Sequence, residues 1–338
     1  MKYKLLRSLS FFVTLSLLSA CEPAPDPHWL LQGRTMGTTY NVKLVTPESA
    51  LTQATLQQQI DEALIAVNDS MSTYQQDSEL SRFNQSEKGA LIAVSPALRK
   101  VLNESIRLHQ LSAGVLDVTV GPLVNLWGFG PKARPEVVPD DNAIQQAREQ
   151  VGIEHIQLTD EGLSKDIDDL YVDLSTIAKG YGVDVIAELL EQQNIHDYLI
   201  EIGGEMRIAG SKQDGAEWRV AIEKPESTTR SVQQIISVGD NGIATSGDYR
   251  NYHEENGVRY SHLIDPFTGK PITHNLVSVT VVHPSCMTAD GMATAISVMG
   301  LEKGITFAEE NNLAVMLISR EKDGFKTYNS PEFAAYLR

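Results

Sequence analysis

The chain has 338 residues, with 28 basic and 44 acidic side chains and a formal net charge of −16 at pH 7. The first 20 residues hold three of the basic side chains and no acidic one, which leaves 25 basic against 44 acidic residues, a net charge of −19. Such an acidic body argues against a nucleic-acid partner and against lying flat on anionic lipid. It is compatible with a phosphate ligand where a metal ion brings its own positive charge.

The N-terminal segment has the layout of a secretory signal. Basic residues precede an apolar stretch over 9–18, which is too short for an ordinary membrane-spanning helix and ends in small residues before Cys21. We predict a lipoprotein signal peptide over 1–20, an acylated Cys21 and a proline-rich tether over 21–28, which together would anchor the domain to the inner or outer membrane facing the periplasm. The alternative is a plain signal peptide with a chance cysteine. With Cys21 acylated, Cys286 has no partner for an internal disulfide.

The rest of the chain predicts a mixture of helices and strands. Apolar periodicity, turn residues and capping signals place them in this order: strand 39–45, helix 52–71, a helix from Ser95-Pro96 to near Gly114, a helix from Asp140 to Gly152, strand 153–158, helix 175–193, strands 198–208 and 218–223, a hairpin over 235–245, strand 276–282, helices 288–299 and 301–311, and strand 313–319. No regular strand–helix–strand rhythm is present. We therefore predict an α+β fold with largely antiparallel sheets flanked by helices.

Asp290 and Thr294 are the first candidate site residues. They are four residues apart on a predicted helix and therefore share one face. A carboxylate and a hydroxyl one turn apart suit a hard cation such as Mg²⁺ or Ca²⁺, which would take its other ligands elsewhere. The alternative is helix capping, with Thr288 as the N-cap and Asp290 favoured by the helix dipole.

The segment 172–181 carries the second group. Asp173, Ser175 and Thr176 stand just before an apolar helix, and Lys179 lies inside it. Capping accounts for the hydroxyls as well as anion binding does. Lys179 is less easily explained, because a lysine on a buried helix needs an anionic partner or a ligand phosphate.

Three further segments combine polar residues with turn signals. Segments 246–250 and 260–271 bring together Asp, Arg and His262 in a loop, where His262 is a candidate base or a structural histidine. Segment 114–131 is mostly apolar, with Asp117 and Asn125 embedded in it, and core packing explains most of it. Gly203-Gly204 interrupts a strand-like run and indicates a bulge or the close approach of a ligand.

Taken together, these segments resemble the FAD:protein FMN transferase (ApbE) family. The segments that match, in one order, are 36–40, 71–74, 77–84, 117–131, 172–181, 202–205, 246–250, 261–269 and 289–294. The resemblance implies a T-fold-like flavin transferase domain over 29–338. Such an enzyme moves the FMN half of FAD onto a Thr or Ser hydroxyl of a target protein and releases AMP, with Mg²⁺ as cofactor. The implied acceptors are subunits of sodium-translocating NADH:quinone reductase or Rnf-type complexes.

The resemblance also assigns roles to individual positions. The positions that would hold FAD are Met36, Tyr74, Val115, Leu116, Asp117, Asp173, Lys179 and Ile264. Asp290, Thr294, Ala293 and Thr176 would supply the Mg²⁺ ligands, the last two through main-chain oxygens. His262 would help to deprotonate the acceptor hydroxyl, and Asp265 would orient His262. Two alternatives share these residues: an FAD pyrophosphatase that yields FMN and AMP, and a lipoprotein that binds flavin without catalysis.

Overall fold

The structure is a computed structural model that describes residues 28–131, 137–226, 231–247, 252–255 and 258–337. The predicted signal peptide, Cys21 and the tether up to residue 27 lie outside the described residues, as do residues 248–251. No helix in the described ranges is long and apolar enough to cross a membrane.

Sixteen strands and eight α-helices lie in the described ranges. The strands are β1 His28–Thr35, β2 Thr38–Val45, β3 Ile156–Thr159, β4 Gly162–Lys165, β5 Tyr198–Ile202, β6 Glu205–Ala209, β7 Val220–Glu223, β8 Val232–Ile236, β9 Gly242–Ser246, β10 Tyr252–Glu255, β11 Val258–Ser261, β12 Ile264–Asp265, β13 Lys270–Pro271, β14 Leu276–His283, β15 Ala314–Glu321 and β16 Gly324–Asn329. The helices are α1 Gln53–Met71, α2 Glu79–Gln85, α3 Pro96–Leu111, α4 Gly121–Leu126, α5 Asp141–Arg148, α6 Ala178–Gln192, α7 Cys286–Met299 and α8 Leu301–Glu310. Two short 3₁₀ helices span Ile153–His155 and Pro331–Tyr336.

The centre of the molecule is an eight-stranded sheet in the order β1-β2-β5-β6-β9-β14-β15-β16, and every neighbouring pair is antiparallel. The predicted α+β class with a largely antiparallel sheet is therefore confirmed. In β2, Tyr40, Val42 and Leu44 alternate with more exposed residues, and their buried side chains pack against α1 and α6. In β14 every residue from Leu276 to Val282 is buried, because this central strand is covered on both faces.

Two layers cover the two faces of this sheet. Helices α1, α6 and α7 pack on one face with the larger apolar clusters. The β7–β8 pair and the 3₁₀ helix Pro331–Tyr336 cover the other face, where Trp218 and Phe333 are buried. The turn between β5 and β6 lies where the two layers meet, and it borders a large cleft.

Capping chemistry fixes the helix starts. Thr52, Ser95 and Asp140 each accept a hydrogen bond from the backbone N–H three residues on, so the predicted starts of α1, α3 and α5 are confirmed. The predicted start of α7 at Thr288 is wrong. Ser285 is the N-cap of that helix, and Thr288 lies in the first turn, where its hydroxyl donates to Glu104.

The structure corrects two strand predictions and adds an edge strand that was not predicted. The run 198–208 is not one strand: Gly203 and Gly204 take positive φ angles of 60° and 113° and form the two-residue turn between β5 and β6. The run 235–245 is not a hairpin, because β8 pairs with β7 whereas β9 pairs with β6 and β14. Strand β16 follows a turn that the sequence analysis did not identify, and it is an edge strand paired with β15 alone in the described sheet.

Candidate active site

A cleft of about 900 Å³ opens where α6 and α7 meet the β5–β6 turn. Side chains from most of the segments singled out in the sequence line it. The predicted site residues among them are Tyr74, Val115, Leu116, Asp117, Asp173, Thr176, Lys179, His262, Ile264, Asp290 and Thr294. Residues separated by more than 200 positions in the sequence are therefore brought to one cavity. The roles that the resemblance assigns to them stay predictions.

Lys179 and two carboxylates form the charged centre of the cleft. The Nζ atom of Lys179 lies 2.7 Å from Oε1 of Glu205 and 3.9 Å from Oδ1 of Asp290. Burial disfavours the charged form of Lys179, but the carboxylates of Asp290 and Glu205 outweigh that effect and raise its pKa. Burial raises the pKa of Asp290 to about 7; Lys179 opposes this shift and Glu205 adds to it. A cation bound beside Asp290 would favour its carboxylate form.

The close approach of α6 to α7 sets the position of Asp290. The backbone N–H of Gly180 donates to Oδ2 of Asp290 at 2.9 Å. A Cβ on Gly180 would lie 2.4 Å from the carbonyl oxygen of Cys286 and 2.8 Å from Cβ of Asp290, so a larger residue would push the helices apart. Glycine is therefore required at this crossing because of packing, although its φ angle is helical.

Two polar atoms at this centre have no hydrogen-bond partner among the described residues. They are the hydroxyl oxygen of Thr176 and Oε2 of Glu205, and both are buried. Helix α6 begins at Ala178 without a side-chain cap, so Thr176 does not cap it. Buried polar atoms of this kind need a partner, and oxygen atoms beside a carboxylate suit a hard cation. The residues present therefore fit the Mg²⁺ ion that the resemblance implies.

Asp290 alone cannot bind a Mg²⁺ ion, so hydroxyl and main-chain oxygens would have to supply the other ligands. In the described part of the chain, no group of three or more His, Cys, Asp or Glu side chains could hold a metal ion. Thr294 is half-buried on the cleft wall, one turn after Asp290. Ala293, the third predicted ligand on α7, is fully buried and does not line the cleft, so only its carbonyl oxygen could contribute.

Two more buried carboxylates border the cleft, and each accepts a hydrogen bond from the backbone N–H two residues further along the chain. Oδ1 of Asp117 accepts from the N–H and hydroxyl of Thr119 at 2.8 and 2.6 Å. Burial nevertheless raises the pKa of Asp117. Oδ1 of Asp173 accepts from the N–H of Ser175 at 2.9 Å, and the N–H of Asp173 donates to the carbonyl oxygen of Val118 at 2.7 Å. The segments 115–117 and 173–176 are thereby joined into one wall.

Tyr74 stands at the mouth of this wall. Its side chain is 72% exposed although its atoms line the cleft, which leaves the ring free to pack on a planar ligand. Partial burial and the nearby charge of Asp173 raise its pKa. The contact with FAD that the resemblance implies for Tyr74 stays a prediction.

His262 and Asp265 have different surroundings. His262 is half-buried on the cleft wall, with its ring edge-to-face to Phe129 at a centroid distance of 6.3 Å. Asp265 does not line the cleft: its Oδ1 accepts from the N–H of Phe267 at 2.8 Å, and its carbonyl oxygen accepts from the N–H of Gly269. Asp265 thus shapes the turn between β12 and β13, and this turn carries the His262 loop.

Met36, like Ala293 and Asp265, does not line the cleft. It has a positive φ of 49° in the turn between β1 and β2, and its side chain packs on the apolar core beside Gly182 of α6. Its neighbours Thr38 and Thr39 line the cleft instead. Met36 therefore fixes the turn that carries these two residues.

Two buried acids have no role predicted from the sequence: Glu205 in the cleft, and Asp184 at the N-terminus of α7. Glu205 belongs to a segment that carried the resemblance, and it is the closest described partner of Lys179. Asp184 lies on the apolar face of α6 and accepts from the N–H groups of Cys286 and Met287, both at 3.0 Å, and from the Ser285 hydroxyl at 2.8 Å. The signal that could have identified Asp184 is its position between two valines on a helix whose pattern otherwise predicts burial.

Known proteins are similar to this chain in sequence and in fold. A family model described as the ApbE family matches residues 36–317. The chain belongs to the ApbE family. A relative from Vibrio cholerae serotype O1 named FAD:protein FMN transferase is 56% identical over 325 residues, which cover 96% of this chain and 97% of the relative. The protein of the same name from Escherichia coli strain K12 is 40% identical, with 96% and 97% covered.

Solved structures of ApbE proteins have the same fold. The flavin transferase ApbE from Vibrio cholerae superposes with a TM-score of 0.86 at 55% identity, covering 92% of this chain and 99% of that one. The apo form of the Pseudomonas stutzeri flavinyl transferase ApbE gives a TM-score of 0.85 at 38% identity, covering 92% and 96%. The match covers the ApbE domain of these relatives almost completely.

Proposed function

We propose that this chain is an FAD:protein FMN transferase that moves the FMN half of FAD onto a Thr or Ser hydroxyl of an acceptor protein. The observation that carries this proposal is the single cleft in which Lys179, Glu205 and Asp290 meet the wall formed by segments 115–117 and 173–176. Relatives and solved structures named as flavin transferases support the same reaction. The AMP product and the acceptor class are parts of this proposal.

The reaction exchanges the phosphoanhydride bond between the two halves of FAD for a phosphoester bond to the acceptor. The acceptor oxygen attacks the phosphorus of the FMN half and forms the new P–O bond. The P–O bond to the AMP phosphate breaks, and AMP leaves with the bonding electron pair. The proton of the acceptor hydroxyl goes to a base, for which we propose His262 because it is the histidine on the described cleft wall. Phosphoryl transfer depends mainly on positioning and charge neutralisation, which suits a site built from buried charges.

Mg²⁺ is the proposed cofactor. Asp290, Thr294 and main-chain oxygens at Thr176 and Ala293 would hold it, and the unpartnered hydroxyl of Thr176 adds an oxygen beside them. When bound, the ion neutralises negative charge on the pyrophosphate. The cleft needs such an ion because its wall carries more carboxylates than cations. Lys179 supplies a fixed positive charge next to them.

The transferase can be separated from its alternatives by following both products. The purified full chain is incubated with FAD, Mg²⁺ and a flavin-accepting subunit of a sodium-translocating NADH:quinone reductase. Flavin that stays on the denatured acceptor, with one AMP released per flavin attached, supports the transferase. Free FMN with no flavin on the acceptor would indicate an FAD pyrophosphatase instead. No AMP under any condition would indicate a protein that only binds flavin.

We also propose that Cys21 is acylated and that the enzyme faces the periplasm, where an acceptor subunit of NADH:quinone reductase or an Rnf-type complex would be exposed. The layout of residues 1–28 supports this location. A Cys21→Ser variant should be found in the soluble fraction instead of the membrane fraction after cell fractionation. A chain that starts at Trp29 should keep its activity in solution if the tether serves only as an anchor. A Cys21→Ser variant that stays on the membrane would contradict this proposal.

A further inference from the structure

The cleft has two halves, one on each face of the central sheet. The nucleotide half, on the helical face, contains the cleft-lining residues predicted to bind FAD and Mg²⁺. The strand half, on the opposite face, is lined by Asn41, Glu201, Met206, 220–223, Ile243 and Thr245. None of the predicted site residues belongs to the strand half. The strand half therefore has no ligand assigned by the sequence-based predictions.

All four residues of β7 line the strand half. Successive side chains of a strand point to opposite faces, so four consecutive residues line one cavity only where the backbone edge of the strand borders it. Val220 and Ile222 are buried in the apolar cluster beneath the sheet, and Ala221 between them is exposed. In the described part of the chain β7 pairs with β8 alone, which leaves its other edge toward the cleft.

The backbone groups on that edge can be identified from the partners of β8. Ile236 is paired with Val220 on one side and with Leu337 on the other. On the Leu337 side the hydrogen bond is made by the N–H of Ser237, at 3.3 Å from the carbonyl oxygen of Tyr336. Because neighbouring residues of a strand point their N–H and C=O groups in opposite directions, Ile236 directs its own groups to Val220.

The same alternation then determines the direction of Ala221. Val220 and Ile222 direct their N–H and C=O groups to β8, and Ala221 directs its groups away from β8, to the open edge. The N–H of Lys224, which donates to the carbonyl oxygen of Ser231 at 2.9 Å, continues this pattern. Unpaired groups of this kind on an edge strand are a template for an added strand.

The passage between the two halves is open at the β5–β6 turn. A Cβ placed on Gly204 would meet no atom within 4 Å. Glu201 holds this turn in place, since its carboxylate accepts from the Asn41 side chain at 2.7 Å and from the N–H of Gly204 at 2.8 Å. A group bound along β7 could therefore reach around Gly204 to the centre formed by Lys179 and its carboxylates.

We propose that the strand half binds the hydroxyl-bearing segment of the acceptor protein in extended conformation, as an added strand along the Ala221 edge of β7. This inference rests on the proposed transferase function, which requires a polypeptide and FAD to occupy one cleft together. A polypeptide is the occupant that the edge selects, because its N–H and C=O groups repeat at the spacing of a strand and those of a nucleotide do not. The segment would enter along β7 and present its hydroxyl at the Gly204 turn.

The test is an Ala221→Pro variant of the full chain, with Ala221→Ser as the matched control. Proline removes the N–H that points to the cleft and leaves the hydrogen bonds of the β7–β8 pair intact, whereas serine keeps that N–H and changes the exposed side chain. With the NADH:quinone reductase subunit as acceptor, we expect the proline variant to raise the acceptor KM about tenfold, the effect of losing one backbone hydrogen bond. FAD affinity, measured by flavin fluorescence, should stay unchanged, and the serine variant, which keeps the N–H, should raise the acceptor KM much less than the proline variant.

A second measurement on the wild-type protein does not depend on how the variant folds. Hydrogen exchange of a peptide that covers 219–223 should slow when the acceptor is added, and it should not respond to FAD alone. An unchanged acceptor KM in a folded Ala221→Pro variant, or no protection of 219–223 by an acceptor that becomes flavinylated, would overturn the inference. Failure of the proposed function is a different result, because the wild-type protein would then attach no flavin to the acceptor.

Discussion

The N–H of Gly180 and Oδ2 of Asp290, 2.9 Å apart, join the start of α6 to the middle of α7. This hydrogen bond leaves Oδ1 of Asp290 facing Lys179, the residue that precedes Gly180 in the chain. The cation side chain and the carboxylate of the cleft are thus positioned by one helix crossing. Substitutions at this crossing should therefore displace Lys179 and Asp290 more than they disturb the rest of the fold.

A Gly180→Ala substitution tests the crossing. The added Cβ would meet the backbone of Cys286 at 2.4 Å, and backbone cannot move aside cheaply. We expect a loss of about 1–3 kcal/mol in the free energy of unfolding, measured by urea denaturation, and weaker Mg²⁺ binding. Gly182→Ala is the control in the same helix. Its Cβ would meet the flexible end of Met36 at 2.8 Å, so its effect should be smaller. Equal losses in the two variants would contradict this explanation.

Glu205 is expected to keep Lys179 away from Asp290. In a Glu205→Gln variant the ammonium group loses the negative charge that lies 2.7 Å away. It should therefore move toward Asp290, now 3.9 Å away, where it competes with a cation. We expect Mg²⁺ affinity, measured by titration calorimetry without FAD, to fall by about tenfold. Glu188→Gln is the matched control. Glu188 lies on α6, as Lys179 does, and the substitution removes only an exposed ion pair, in which Oε1 of Glu188 lies 2.8 Å from Nζ of Lys100. Unchanged Mg²⁺ affinity in Glu205→Gln would refute this role.

The raised pKa of Asp290, about 7 against an ordinary 3.8, predicts a pH dependence. Between these values the native state binds more protons than the unfolded state, so stability should fall as pH rises from about 4 to 7, by at most about 1.4 kcal/mol per pH unit. An Asp290→Asn variant should lack this part of the slope. Added Mg²⁺ should stabilise the wild type at pH 8 and not at pH 5, because the ion binds the deprotonated carboxylate. Calorimetric melting at several pH values measures both effects, and identical slopes in the two proteins would exclude the assignment.

Asp184 should stabilise the N-terminus of α7. Its carboxylate accepts from two backbone N–H groups and from Arg207, whose Nη1 lies 3.1 Å away. In an Asp184→Asn variant an amide N–H would face a donor and Arg207 would lose a buried partner, so we expect about 3 kcal/mol of destabilisation by urea unfolding. Glu191→Gln removes the more exposed partner of Arg207 and should cost under about 1 kcal/mol. A mild Asp184→Asn phenotype would mean that the Ser285 cap alone holds the helix start.

The local structure was predictable where short-range chemistry decides it. Thr52, Ser95 and Asp140 cap the helices that they were expected to open, because a capping side chain needs only the next three residues. The alternation of apolar residues along β2 also marks its buried face, because this pattern is set within the strand itself. The turn at Gly203-Gly204 was harder, since two glycines in an apolar run fit a bulge, a ligand contact or a hairpin equally well until the partner strands are known.

The sequence by itself determined the acidic charge, the α+β class, and the segments whose order resembles the ApbE family. Only the tertiary structure decided which residues meet. The contact of Lys179 with Glu205 and Asp290 depends on a helix crossing and a hairpin turn that lie far apart in the chain. The open edge of β7 likewise exists only because β8 takes its other side. Capping and alternation act over a few residues, whereas sheet order and helix packing are set by the whole core, and a local pattern does not contain them.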